Sequence, residues 1–354
     1  MIKKRVAVAL SGGVDSSTAA LLLHEAGYEV IGIAMHLWSG ARTTQGEQHC
    51  SCHSTQNIHD AEQICLTLGI PFHVIDLENE FKKYVIDYFC REYVQGRTPN
   101  PCIACNQYMK FGFLLNQALS LGADCLATGH YARIKRSNDA YRLLKGVDPD
   151  KDQSYMLYTL GQDKLGHLFF PLGNYLKAKV RELAQQNSLS VASKPSSQDI
   201  CFIATDYGAF LSQHFTVIPG EIVNSRGEVL GKHKGTAFYT VGQRHGLGLV
   251  ATERLYVTKI EPDKSRIIVG GEEELCSSSL IASKVNWVSG RHPTEPVTVG
   301  VKIRYRSPEA AATLYPGSSS AEIRFHRPQR AIVSGQAVVF YQGSEVLGGG
   351  TIEN

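Results

Sequence analysis

The cysteines of this chain have the residue type and spacing that promise the most distinctive chemistry. Nine are present, an odd number in a long chain with no visible export signal, which argues against a secreted disulfide framework. Those in apolar patterns, interpreted as small core residues, are Cys65, Cys90 and Cys125. Cys102 and Cys105 instead form a C-x-x-C pair, and Cys201 lies far along the chain. Thiolates at these three positions would serve as nucleophiles, redox groups or metal ligands.

A second candidate is the glycine-rich stretch Ala-Leu-Ser-Gly-Gly-Val-Asp-Ser-Ser, residues 9–17. Two adjacent glycines allow a tight turn that brings N–H groups against a ligand, and the helix predicted to follow favours an anion at its N-terminus. The stretch lacks the lysine of a G-x-x-x-x-G-K-[ST] loop and the glycine spacing of dinucleotide folds. These gaps argue against a kinase, a GTPase or a dehydrogenase. On these residues alone, a phosphate cradle and a turn that merely caps a helix are equally open.

The elements that must position these groups alternate over the first 130 residues. Strands are predicted at 5–10, 28–35, 71–76 and 124–128, and helices at 16–26, 58–68, 81–93 and 109–121. This alternation predicts an α/β fold with a doubly wound parallel sheet, whose ligands bind beyond the carboxyl ends of the strands. From about Val217, short alternating runs and Pro-Gly, Arg-Gly and Leu-Gly turns predict two small β domains, the last a β-barrel. We therefore predict domains at 1–212, 213–276 and 277–354.

Composition narrows the class of protein. The 354 residues suit two or three domains, and 43% apolar with 19% charged residues is ordinary for a globular protein. The net charge is only +3, so a nucleic-acid surface would need local clustering of basic residues. No stretch approaches the length of a membrane span, and the apolar run Val6–Leu10 is too short for a signal core. We expect a soluble cytoplasmic protein without membrane contact.

The stretch Ser11-Gly-Gly-Val-Asp-Ser16 resembles the pyrophosphate loop of the ATP-pyrophosphatase enzymes, which cleave ATP to AMP and pyrophosphate while adenylating a substrate oxygen. The resemblance implies that Asp15 acts beside the pyrophosphate and its Mg²⁺. It also implies that Met35 and Gly129 line the adenine and ribose. The ATP-binding residues implied within the loop are Ala9, Leu10, Ser11, Gly12, Gly13, Val14, Asp15 and Ser16. The loop alone leaves open the substrates of GMP, NAD, asparagine and argininosuccinate synthetases.

Four further blocks decide among these substrates; they span residues 98–106, 127–133, 151–156 and 197–203. Together they resemble, in order along nearly the whole chain, the tRNA-specific 2-thiouridylase family. The resemblance implies ATP-dependent transfer of sulfur to C2 of the wobble uridine of tRNA. Because the C2 oxygen is a poor leaving group, it must first be adenylated, and a persulfide or a cluster-bound sulfide then attacks. By motif, Cys201 accepts and delivers the sulfur, while Cys105 closes a disulfide that frees it or assists the attack.

Cys102 departs from the family pattern, since many members have Asp at this place. Three thiolates, those of Cys102, Cys105 and Cys201, would hold a [4Fe–4S] cluster with one iron open to sulfide. A zinc site or a redox-active C-x-x-C pair are the alternatives, and the cluster and the cluster-free relay are equally open. A nearby group, His49-Cys50-Ser-Cys52-His53, is expected to form a loop near the active site, because its C-x-C spacing matches zinc signatures poorly.

Part of the expected tRNA-binding surface is inferred from the pattern of charged residues. Alternation over residues 297–306 predicts a strand with Lys302, Arg304 and Arg306 on one face. Residues 301–330 carry six Lys/Arg and two Asp/Glu, so this segment holds the chain's positive excess. The tRNA contacts implied by the family resemblance are Asn100, Pro101, Cys102, His130, Lys151, Asp152, Gln153, Arg304, Tyr305 and Gln342.

The remaining partner implied is a sulfur donor, either a cysteine desulfurase or a sulfur-carrier protein. Two other functions stay open at this point. One is an ATP-pyrophosphatase that adenylates a small molecule, and the other is a catalytically idle tRNA-binding or iron-storage module.

Overall fold

The computed structural model describes residues 3–37, 55–137, 140–195, 200–203, 207–251 and 253–353. The first part of the chain forms a five-stranded parallel sheet in the order β3-β2-β1-β4-β7. Its strands are β1 (Arg5–Ala9), β2 (Glu29–His36), β3 (Phe72–Asp76), β4 (Cys125–Ala127) and β7 (Leu168–Phe169). Val6, Ala7 and Val8 of the central strand are fully buried, as expected where helices cover both faces. The four predicted strands are confirmed to within two residues at each end.

Helices flank this sheet, and the predicted ones are present with earlier starting points. The α-helices are α1 (Val14–Glu25), α2 (Thr55–Leu68), α3 (Glu78–Phe81), α4 (Asp87–Val94), α5 (Pro101–Ala104), α6 (Leu115–Ser120), α7 (Gln162–Leu165), α8 (Lys177–Gln186) and α9 (Tyr207–His214). A π-helical segment, Lys82–Ile86, joins α3 to α4, and a second, Cys105–Leu114, joins α5 to α6. Short 3-10 turns occupy Ser154–Leu157, Pro171–Asn174, Thr236–Phe238, Pro262–Lys264 and Glu273–Leu275.

A small β unit follows, with strands in the order β10-β11-β8-β9. These are β8 (Gly220–Asn224), β9 (Val229–His233), β10 (Tyr256–Glu261) and β11 (Arg266–Gly270). Their shared core includes Ile222, Val257 and Ile267, which are fully buried. This unit is the first of the two β units expected from the change in sequence texture.

The last unit is a closed barrel of six antiparallel strands. Its strands are β12 (Cys276–Trp287), β13 (Val297–Lys302), β14 (Ala310–Pro316), β15 (Ser320–Arg330), β16 (Ala337–Gln342) and β17 (Glu345–Ile352). They run in the order β12-β15-β14-β13-β16-β17, and pairing of β12 with β17 closes the barrel. The expected β-barrel is therefore confirmed.

The barrel is joined to the first part of the chain. A hairpin of β5 (Ala132–Ser137) and β6 (Ala140–Lys145) extends its sheet, with Leu144 opposite Glu345. One apolar core also runs from the parallel sheet through Tyr155 and Tyr158 to Val339 and Tyr341 of β16. The parallel-sheet part of the chain and the barrel therefore share one apolar core.

One predicted strand is wrong in its length. The strand expected over residues 297–306 ends at Lys302, so Arg304 and Arg306 do not continue its face. A turn replaces it, because the Arg304 amide donates to Ser307 Oγ (3.3 Å) and that hydroxyl donates to the Arg304 carbonyl (2.9 Å). Among the described residues, no helix is both long enough and apolar enough to cross a bilayer.

Candidate active site

The glycine-rich loop lies between β1 and α1 and packs directly on α2. Gly12 has φ +66°, and a Cβ at this position would lie 2.3 Å from the Asn57 carbonyl oxygen. Glycine is therefore required both by the turn and by the close approach of backbone. Ser16 and Ser17 fix the loop from within, since both hydroxyls donate to the Gly13 carbonyl (3.2 and 3.0 Å). Gly13 is the N-cap of α1 and supplies no side-chain acceptor, so the first-turn N–H groups suit an anion.

The residues expected around ATP meet at the carboxyl edge of the sheet. β1 lies between β2 and β4, where the strand order reverses, which is the usual ligand position in such sheets. Ala9 ends β1 and Leu10 follows it, and Met35 is buried near the end of β2. Gly129 follows β4 so closely against the loop that a Cβ there would lie 2.8 Å from the Asp15 carbonyl carbon and the Ser16 nitrogen.

Asp15 has two partners that sequence reasoning missed. Its Oδ1 accepts hydrogen bonds from Lys177 Nζ (2.5 Å) and from the Tyr131 hydroxyl (2.7 Å). Burial, and then the Asp15 carboxylate, raise the pKa of Tyr131, so the phenol stays neutral. Lys177 is the first residue of α8, and its amide donates to Asp148 (2.8 Å), which fixes this end of the helix. No local pattern marks a lysine so distant in sequence from the loop.

A second lysine, Lys194, also holds the loop and was not predicted. Its Nζ donates to the Gly12 carbonyl (3.0 Å), to Asn57 (2.5 Å) and to Asp60 (2.6 Å). Burial opposes ionisation of Asp60, but the bonds from Lys194 and Gln56 outweigh it and lower the pKa of that carboxyl. Lys194 therefore ties the loop to α2 and to the segment that leads towards Cys201.

Asn100 and Pro101 begin the helix that carries the C-x-x-C pair. The Asn100 Oδ1 accepts from the amides of Cys102 (3.1 Å) and Ile103 (3.4 Å), and Pro101 occupies the first helical position. Cys102 is exposed and Cys105 is half-buried. The N-terminus of a helix is the positive end of its dipole, so a negatively charged group is favoured beside the start of this helix at Pro101.

Cys201 is half-buried and packs against the same apolar core as Cys105. Residues 196–199 of its motif lie outside the described residues, as do His49, Cys50, Cys52 and His53. Within the described ranges, the one trio of metal-ligating side chains with all ligand atoms within 4.8 Å is His36, Asp76 and Glu78. Two sulfurs on one zinc ion lie at most about 4.6 Å apart, so one ion does not fit all three thiols of the site as they stand.

The Lys151-Asp-Gln153 block is mostly engaged inside the protein. Asp152 is buried, and its carboxylate accepts from the Gly146 amide and from the amide and hydroxyl of Ser154. Gln153 Oε1 accepts from the Tyr131 amide (2.9 Å). Of the three, only Lys151 is exposed, so it is the side chain available to an external phosphate.

His130, expected at the target base, is buried beside Phe111 and Phe170. Burial, with a smaller effect of Lys110, lowers its pKa well below the usual value, so the ring is neutral at pH 7. Its Nδ1 lies 2.7 Å from the Thr128 hydroxyl, which fixes the orientation of the ring.

The barrel brings its own predicted contacts to this region. The ring centres of Tyr305 and Tyr155 lie 6.0 Å apart. Burial raises the pKa of the Tyr305 phenol, and nearby charged groups, Asp152 first and Cys102 last, have smaller effects. Arg304 is half-buried and donates to the Arg330 carbonyl (3.1 Å). Gln342 ends β16 and is exposed.

Comparisons with known proteins agree with this geometry. Residues 4–205 match a family model described as the tRNA methyl transferase HUP domain, residues 208–271 its PRC-barrel domain, and residues 277–352 an aminomethyltransferase beta-barrel domain. A solved 4-thiouridine synthetase–RNA complex with bound ATP shares 15% identity, with 57% of this chain and 45% of that one covered and a TM-score of 0.36, too low to add to the argument.

Curated relatives match over their full length. Proteins named tRNA-specific 2-thiouridylase MnmA are 48% identical in Geobacter metallireducens (99% of this chain, 97% of that one) and 47% identical in Carboxydothermus hydrogenoformans (99% and 98%). The protein of that name in Clostridium acetobutylicum is 45% identical (99% and 100%). With this identity over nearly every residue, the chain belongs to the tRNA-specific 2-thiouridylase family.

Proposed function

We propose that this chain transfers sulfur to C2 of the wobble uridine of tRNA while cleaving ATP to AMP and pyrophosphate. The observation that carries the proposal is a run of hydrogen bonds from the nucleotide loop to the cysteine helix. The Tyr131 hydroxyl donates a hydrogen bond to Asp15, and the Tyr131 amide donates to the Gln153 side chain. The Met156 amide donates to the Gln153 carbonyl, and the Asn106 side chain donates to the Met156 carbonyl (3.1 Å). Cys105 immediately precedes Asn106, so this run supports one site for adenylation and sulfur transfer.

Activation begins at the loop. The uridine O2 attacks the α-phosphorus of ATP, and pyrophosphate leaves into the cradle formed by residues 11–16 and the first turn of α1. Mg²⁺, when bound, would neutralise phosphate oxygens, and the Asp15 carboxylate, one-third exposed, is suited to hold it. Lys177 would then turn its charge from Asp15 to the phosphates. Met35 and Gly129 would border the adenosine.

Sulfur transfer follows at the cysteines. A persulfide on Cys201 attacks C2, AMP leaves, and Cys105 attacks the Cys201 sulfur to give a disulfide and the 2-thio base. An external thiol reductant restores both thiols, and a cysteine desulfurase or a sulfur-carrier protein reloads Cys201. The neutral His130 and the Asn100–Pro101 turn would hold the base.

The alternative route uses Cys102. The thiols of Cys102, Cys105 and Cys201 would be the donors for a [4Fe–4S] cluster, which would supply an open iron for inorganic sulfide. Lys151, Arg304, Tyr305 and Gln342 would contact the RNA outside the reacting base in either case. We place the enzyme in the cytoplasm, where its tRNA substrate is made.

The test is a reconstituted reaction of the purified chain with unmodified tRNA transcript, ATP and a persulfide donor. We expect 2-thiouridine at the wobble position by nucleoside mass spectrometry, and pyrophosphate release that depends on tRNA. Pyrophosphate release that depends on a small molecule, with no thiolated tRNA, would contradict the proposal and favour another ATP-pyrophosphatase activity.

A further inference from the structure

A cavity of about 260 Å³ separates the cysteine helix from the barrel, away from the ATP loop. Its wall on one side comes from the two π-helical segments, through Lys83, Tyr84 and Tyr108. The other side comes from the barrel, through Lys284 of β12. Interruptions of this kind in helices occur often at functional sites. Asn100 also lines the cavity, whereas Cys102 and Cys105 do not, so the cavity is distinct from the thiol site.

The wall of the cavity is positively charged. Lys83, Arg91 and Lys284 contribute to it, and no Asp or Glu is among the described residues that line it. Within the described part of the chain, none of the three cations forms a salt bridge; the Glu353 carboxylate, which is paired with Arg97, also feels the charge of Lys284. Burial raises the pKa of Tyr88, also in the wall, to about 12, so this phenol adds no negative charge at neutral pH. Such a wall favours an anion.

The cavity also offers an aromatic platform. Tyr84 and Tyr108 are stacked, with ring centroids 5.1 Å apart and an angle of 29° between the planes. Lys83 Nζ lies 5.2 Å from the centre of the Tyr84 ring. Tyr108 is 39% exposed, which leaves part of its ring available to a further planar group. Aromatic rings of this kind are the usual partners of nucleobases in proteins that bind unpaired nucleotides.

Two details are unexplained by folding alone. Lys284 has φ +50°, an unfavourable conformation for a lysine, at a bulge between Ser283 and Asn286 that directs its side chain. The Thr159 hydroxyl, in the same wall, is buried and has no hydrogen-bond partner among the described residues. A polar group of a bound ligand would supply the partner that the Thr159 hydroxyl lacks.

We propose that this cavity binds a nucleotide, with its base against Tyr108 and its phosphate held by Lys83, Arg91 and Lys284. The nucleotide has two sources: a residue of the bound tRNA, which rests on the proposed function, or a free mononucleotide such as the product AMP.

The experiment measures the affinity of AMP by calorimetry, with a non-hydrolysable ATP analogue saturating the loop, and the affinity of tRNA by filter binding. The variants are Lys284→Asn, which tolerates the left-handed backbone, and Tyr108→Ala, with Tyr108→Phe as the ring-preserving control. Lys232→Ala, an exposed lysine of β9, is the charge control. If Lys284→Asn does not fold, Tyr108→Ala and Thr159→Val carry the test.

A free-nucleotide site predicts that the variants weaken AMP binding about tenfold, with tRNA binding unchanged. A site for a tRNA residue predicts that the variants weaken tRNA binding and leave AMP binding unchanged. For Lys284→Asn, the slope of the logarithm of the tRNA affinity against the logarithm of the salt concentration should fall by about one unit in magnitude. Both controls should match the wild type. If neither affinity changes, or Lys232→Ala changes them equally, the proposal is overturned. A wild type that fails to thiolate tRNA would sink the proposed function and leave the AMP measurement standing.

Discussion

Lys177 Nζ and Asp15 Oδ1 form a 2.5 Å ion pair that joins the first turns of α1 and α8. Their side chains are 11% and 33% exposed, so the pair is shielded more at the lysine than at the carboxylate. Lys177 is thus the cation paired, within the described ranges, with the carboxylate that is expected to work beside pyrophosphate. Two predictions separate the roles of the partners.

Lys177→Ala should lower kcat/KM for ATP about 100-fold, because one charge that stabilises the departing pyrophosphate is lost. Lys177→Arg, which keeps the charge, should recover part of the lost kcat/KM. Tyr131→Phe is the matched control, since it removes only the neutral partner of Asp15. Tm, ATP kinetics and tRNA affinity are the measurements. A drop in Tm with kcat/KM unchanged would make Lys177 a purely structural partner.

Asp15→Ala should abolish thiolation by removing the Mg²⁺ and pyrophosphate partner, while tRNA affinity stays within a few-fold. Filter binding and nucleoside mass spectrometry measure the two effects separately. A variant that binds tRNA far more weakly, yet thiolates normally at saturation, would show that the loop does not handle the nucleotide.

Lys194→Met should weaken ATP binding and lower the free energy of unfolding by about 1–2 kcal/mol, since Asp60 and Asn57 lose a half-buried charged donor. Lys179→Met, which breaks an exposed pair with Glu182 on α8, should change stability by less than about 0.5 kcal/mol. Denaturant titration and the KM for ATP are the readouts. Equal effects of the two substitutions would mean that Lys194 does not brace the loop.

The cysteines allow a decision between the two sulfur routes. Cys105→Ala and Cys201→Ala should eliminate activity in both, so neither discriminates. Cys102→Ala should lose iron and nearly all activity if a cluster operates, while Cys102→Asp keeps part of both because carboxylate still ligates iron. Iron content and absorption after anaerobic purification are measured beside activity. Normal thiolation by Cys102→Ala in iron-free buffer would exclude the cluster.

Arg304→Ala should weaken tRNA binding and reduce the salt dependence by about one unit or less, with the rate at saturating tRNA preserved. Arg226→Ala, in the exposed turn between β8 and β9, is the control. Binding isotherms at several salt concentrations measure the slope. An unchanged slope would mean that Arg304, already bonded to the Arg330 carbonyl, only supports the barrel.

Much of the fold follows from local pattern. Short stretches of sequence are enough to predict buried strands such as β1 and the apolar faces of the flanking helices, and these predictions are confirmed. The helix start at Pro101 was missed although Asn100 and Pro101 carry its capping signal. The domain boundaries stay a prediction.

The candidate site was predictable only where a motif carried it. Lys177 and Lys194 reach the loop from far along the chain, and such pairings leave no periodicity to detect. Arg304 shows the converse error. Burial alternates up to Ile303, but a serine turn that alternation does not register ends the strand at Lys302.

The hairpin of β5 and β6 has a consequence for attempts to divide this enzyme. It departs from the ATP-binding part and continues the sheet of the C-terminal barrel, and Tyr155 donates a 2.8 Å hydrogen bond to the Ala337 carbonyl across the same boundary. A protein truncated before β12 would expose Tyr155, Tyr158 and the edge of β6 to water. Exposed apolar surface and an unpaired strand edge promote aggregation. The N-terminal part is therefore not an independent unit, and chimaeras that exchange C-terminal barrels between relatives should carry residues 132–145 along with the barrel.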